Sequence, residues 1–168
     1  IYTAYQRLVD EAAGAGDAPL DLHVEIHGHG QRYTAADGTR QRLEVIEAVA
    51  TGFSDADVWR IRREYERLCA AHGLDAPAPM HFYQTEPYYE HGGVEVNLTW
   101  TASGARTTGA MRPECAQRSL HFELPGTMRS PAARREVTAA IFADLIAFVW
   151  TEMVPRTPSL AATAPGRD

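Results

Sequence analysis

Apolar and polar positions along the chain alternate with two different periods, and the switches between them mark the elements. Residues 2–13 place Tyr2, Tyr5, Leu8, Val9 and Ala12 on one helical stripe, which Gly14, Gly16 and Pro19 end. Residues 21–29 alternate strictly, the period of a half-buried strand. Ala36-Asp37-Gly38 has hairpin-turn chemistry, because glycine tolerates positive φ. Residues 40–49 are then the returning strand, although their apolar residues are contiguous enough to fit a short helix.

Ser54-Asp55-Ala56-Asp57 reads as a helix start, with Ser54 as cap and the acids at the positive end of the dipole. Val58, Ile61, Tyr65, Leu68 and Cys69 form its apolar stripe, and Gly73 its end. After a 76–79 linker, residues 80–85 predict a strand, 86–93 a loop and 94–102 a further strand. Ser103-Gly104 turns the chain into a weaker strand over 106–111, and 119–124 is the last strand. Ser130-Pro131 opens a strongly apolar helix that Pro155 stops, and its composition predicts a central core helix buried over most of its girth. Residues 156–168 form a Pro/Ala tail without periodicity, expected to be disordered.

The order α-β-β-α-β-β-β-β-α predicts an α+β fold in a single domain over 1–155. Strands joined by short turns pair antiparallel, so the expectation is an antiparallel sheet of about five to six strands. Its three helices would pack mainly on one face.

Each predicted strand has one apolar and one polar side. Leu22, Val24 and Ile26 oppose His23, Glu25 and His27. Val94, Val96, Leu98 and Trp100 oppose Glu95, Asn97, Thr99 and Thr101, and Leu120, Phe122 and Leu124 oppose His121 and Glu123. With the apolar sides under the helices, the other face collects these polar residues together with His81 and Tyr83. Four histidines, three glutamates, a tyrosine and the only asparagine of the chain are an unusual set for a solvated face. Histidine beside carboxylate suits proton transfer near neutral pH.

Composition narrows the chemistry further. The net charge of −6 disfavours a phosphate backbone as partner, so nucleic acid is not expected. All sixteen basic residues are arginine, which removes Schiff-base chemistry and lysine bases and suggests a GC-rich bacterial source. Cys69 and Cys115 show no CxxC spacing. No apolar run nears the ~18 residues of a membrane span, and no secretory signal is visible. A soluble, reduced, cytoplasmic protein is the resulting expectation.

The leading functional reading is a cofactor-independent enzyme acting on an organic small molecule by acid–base chemistry, such as a cyclisation, condensation, isomerisation or dehydration, as in bacterial natural-product biosynthesis. His23 or His27 would accept the proton, and Glu25 or Glu95 would orient or donate. Tyr83 and Asn97 would bind a carbonyl or developing oxyanion, and His81 and His121 would contact substrate. Tyr88 and Tyr89, followed by Gly92-Gly93, would form either a plain hairpin loop with partly exposed tyrosines or a lid over a ligand. Two uses of the same chain compete: a non-catalytic binding or accessory protein of immunity or assembly type, and a homodimer interface built on the polar face. A third is a metal-dependent enzyme. His23 and His27 lie roughly 13 Å apart along a strand at ~3.3 Å per residue, too far to share an ion easily. A site would instead combine Glu25 and one of them with His81 or His121 across strands.

Overall fold

The computed structural model describes residues 2–14 and 18–155, so Gly16 and the tail at 156–168 lie outside the described residues. The elements run α1 (Tyr2–Ala13), β1 (His23–Gly28), β2 (Arg32–Thr34), β3 (Arg40–Arg42), β4 (Ile46–Thr51), α2 (Asp55–Ala71), β5 (Met80–Phe82), β6 (Tyr88–His91), β7 (Val94–Asn97), α3 (Ser103–Thr108), β8 (Ser119–Leu124), α4 (Gly126–Arg129) and α5 (Ala132–Met153). The class is α+β, as the sequence predicts.

The sheet differs from the expectation. It has four strands in the order β1-β8-β4-β5, and it is mixed. β8 runs parallel to β1 and antiparallel to β4, and β5 runs parallel to β4. The β4–β5 connection carries all of α2, and a crossover of that length returns the chain parallel. The remaining four strands form two separate hairpins, β2-β3 and β6-β7. Five helices are present among the described residues, against three expected.

Local chemistry accounts for the other departures. The turn at Ala36-Asp37-Gly38 stands, with the Ala35 amide donating to the Thr39 carbonyl. The predicted 40–49 strand splits, because Arg40–Arg42 is wholly exposed whereas β4 is almost wholly buried. The 94–102 strand stops at Asn97, because the Thr99 and Trp100 amides donate to the Glu47 carboxylate instead of a ladder. The predicted 106–111 strand is replaced by α3, whose Thr107 and Thr108 hydroxyls donate to the Ser103 and Gly104 carbonyls one turn back. The predicted 86–93 loop contains β6. Gly92 (φ 59°) and Gly93 (φ 75°) form its two-residue turn into β7, where both positions need a left-handed backbone.

The apolar sheet face carries Ile46, Ala48, Met80, Phe82, Leu120 and Phe122, all at most 1 % exposed. It packs against Val58, Ile61, Tyr65 and Leu68 of α2 and Ile141, Phe142, Leu145 and Val149 of α5. Each such large side chain contributes about 1.5–3 kcal/mol relative to exposure. α2 begins as the sequence predicts: the Ser54 hydroxyl and the Asp57 carboxylate complete a reciprocal capping box. α5 does not bury most of its girth. One stripe faces the core, while Trp150 is exposed and Asp144 accepts from His72.

The opposite, polar face is partly covered. The β6-β7 hairpin and the chain after it lie over part of it, joined by a small cluster of Leu43, Val45, Tyr89 and Leu98. The Thr51 hydroxyl donates to the Met111 carbonyl and ties the far end of this cover to β4. α1 lies at the margin, with the Tyr5 ring edge-on to His23 at 6.5 Å and Leu8 exposed.

Candidate active site

Strand register assembles the site. Glu25 of β1 stands opposite His121 of β8, and His27 opposite Glu123. Glu123 stands opposite Glu47 of β4, and Glu47 opposite His81 of β5. Because side chains alternate, one rung across all four strands reads His27, Glu123, Glu47, His81 on the polar face.

Glu25 is the centre of the cluster. His23 Nε2 lies 3.0 Å from Glu25 Oε1, and His121 Nδ1 lies 3.1 Å from Glu25 Oε2. His27 Nε2 is 3.6 Å from the same Oε2. Hydrogen bonds from His121 and then His23 hold the Glu25 carboxyl well below the usual carboxylate range, against the effect of its partial burial. His121 Nε2 in turn lies 3.3 Å from Glu123 Oε1, so a proton on this ring sits between two carboxylates. The His27 and His121 rings stack at 4.8 Å.

A cavity of about 590 Å³ stands over this group. Glu25, His27, His121 and Glu123 form its floor, Tyr5 one wall, and residues 99–105 with Ala110 its cover. Its volume lies in the range of small-molecule sites. Burial and the nearby Glu25 charge push the Tyr5 hydroxyl up from its ordinary value.

Glu47 anchors the cover. It is fully buried, and its Oε2 accepts the Trp100 amide at 2.8 Å and the Thr99 amide at 3.2 Å. Its Oε1 has no hydrogen-bond partner among the described residues. Burial pushes its carboxyl up from the ordinary value, although the Trp100 amide opposes this.

The residues singled out in the sequence divide into three groups. Glu25, His27 and His121 meet at the cavity floor, and His23 stands buried behind Glu25. His81 and Tyr89 stack face to face at 4.2 Å under the β6-β7 cover, away from the cavity. His81 Nδ1 lies 3.1 Å from Glu86 Oε2, which Arg62 also binds, and burial pushes the His81 ring below its ordinary value. Tyr83 lies under the Arg106 guanidinium. Tyr88, Glu95 and Asn97 sit exposed on the β6-β7 hairpin, and Tyr88, Tyr89 and Glu95 line a separate hollow there of about 320 Å³. The alternation read for 94–102 does not carry Glu95 and Asn97 onto the main polar face, because β7 is not a strand of that sheet.

Sequence reasoning did not single out Glu47, Tyr5 or Trp100. Glu47 had a signal, a lone acid inside the apolar run Ile46-Glu47-Ala48-Val49-Ala50. Trp100 had none, because its place depends on the amide bond to Glu47. Among the described residues no helix is long and apolar enough to cross a membrane. In comparisons with known proteins, no family model, no curated protein and no solved structure matches the chain.

Proposed function

We propose that the cavity over the polar sheet face is the active site of an enzyme that moves protons on an organic small molecule. The observation that carries this reading is the convergence of Glu25, His27, His121 and Glu123 on one covered space of about 590 Å³. A solvated face has no need of a cover anchored on a buried carboxyl, and a subunit interface has no need of a hollow.

The roles follow from position. His27 is the most exposed member, its side chain 52 % accessible, so it is the imidazole that meets a ligand. Glu25 holds it from one side and balances the charge it gains. His121 and Glu123 form a second proton-carrying pair beside it. Trp100 and Tyr5 offer aromatic surface and a hydroxyl for holding a substrate. Cyclisation, condensation, isomerisation and dehydration are the reaction classes that such a set serves.

The test is native mass spectrometry of the purified chain for retained ligand, followed by turnover assays on compounds of the captured class. Binding and turnover that fall with Glu25→Gln and His27→Ala while the fold persists support the reading. Turnover unchanged in both variants overturns it.

A further inference from the structure

We propose that Glu25, His27 and His121 form a binding site for a divalent transition cation, open towards the cavity. Each residue offers one ligand atom, and these atoms all lie within 4.8 Å of one another. Around one ion with bonds of ~2.1 Å, donor atoms stand roughly 3–4 Å apart. Glu25 Oε2 already meets that spacing with His121 Nδ1 at 3.1 Å and with His27 Nε2 at 3.6 Å. The remaining closure falls to the half-exposed His27. Two imidazoles and one carboxylate suit zinc and its neighbours rather than calcium or magnesium.

The surrounding bonds orient the donors as metal ligands. His23 occupies Glu25 Oε1 and leaves Oε2 for the ion. His121 with its proton on Nε2 donates to Glu123 and turns the Nδ1 lone pair towards Glu25 Oε2. A carboxylate-bound histidine that ligates through its other nitrogen is the usual outer arrangement of such sites. In that tautomer two lone pairs face each other across 3.1 Å, a spacing that a bound cation bridges. His27 Nε2, 3.6 Å from the same Glu25 oxygen, offers the cation a third donor.

Three protein ligands leave coordination positions open, and these look into the cavity. This deepens the proposed activity and rests on it only for the cavity's role. With the ion bound, His27 and His121 are ligands, and the proton-accepting group at the floor is a cation-bound water.

The experiment is calorimetric titration of the chelator-treated full chain with zinc chloride, with thermal melts of every variant. One zinc per chain is expected, together with a rise in melting temperature. His27→Ala abolishes this binding, and because His27 is half-exposed the variant keeps its fold. His23→Ala, which removes only the outer hydrogen bond, weakens binding about 10- to 100-fold. His72→Ala, at the end of α2, leaves it unchanged. Absence of stoichiometric zinc, or zinc affinity unaltered by His27→Ala, overturns the site. Turnover by zinc-free protein overturns the ion's part in the reaction while leaving the acid–base reading intact. Zinc binding without turnover of any captured compound has the opposite effect, sparing the cation site alone.

Discussion

The carboxylate of Glu47 accepts the backbone amide of Trp100 at 2.8 Å, and through this bond a central strand holds the segment that covers the cavity. The bond spans 53 residues of sequence and joins the sheet to the segment over it.

Glu47→Ala is expected to leave the Thr99 and Trp100 amides without their acceptor, at a cost of about 1–3 kcal/mol. Amide exchange at both positions should accelerate, which hydrogen–deuterium exchange checks. Glu47→Gln keeps an accepting oxygen and should preserve the cover. It should also change the pH profile. Burial raises the folded pKa of Glu47 above its ordinary value of 4.5. Its contribution to stability is therefore whole below that value and declines as pH rises from there towards the folded pKa. Denaturant unfolding from pH 4.5 to 7 should show that decline in the parent chain and a flatter profile in Glu47→Gln.

His81 has the opposite sign. Burial lowers its folded pKa below the ordinary 6.5, so the fold favours the neutral ring. Its contribution is whole above pH 6.5 and is lost as pH falls from there towards the folded pKa. His81→Phe retains a ring to stack on Tyr89 and cannot be protonated. Its unfolding free energy is expected to vary less between pH 6.5 and 5 than that of the parent chain. An identical acid-side slope in the two proteins would remove His81 as the cause.

At the cavity floor, stability and ligand handling should separate by burial. His27→Ala is expected to change stability by no more than about 0.5 kcal/mol, as exposed positions do. His23 is buried between Tyr5 and Glu25, and His23→Ala should cost about 1–3 kcal/mol. Both should weaken small-molecule binding. Chemical denaturation beside native mass spectrometry measures the two effects independently.

The alternation of β1 and β8 was legible because each strand has one greasy and one wet side, and that alone brought Glu25, His27 and His121 onto a common face. Ser54 and Asp57 likewise announced the start of α2 through local chemistry. The sheet order was not legible. β1 pairs with β8 and not with the next strand, a choice made by tertiary packing that no short window contains. For the same reason Glu95 and Asn97 carried a correct strand pattern into a wrong neighbourhood: a period of two says which residues share a face, not which sheet owns it. Trp100 left no trace, since its position is set by a buried acid elsewhere in the chain.

Glu25 and His121 are 96 positions apart, yet their strands are immediate neighbours. The ion-pairing heart of the molecule therefore does not exist in any N-terminal fragment that ends before β8. That late strand lies between two earlier ones, so the sheet and the site are complete only when it is in place. Partial chains that stop short of it would carry His23, Glu25 and His27 with neither His121 nor Glu123 beside them.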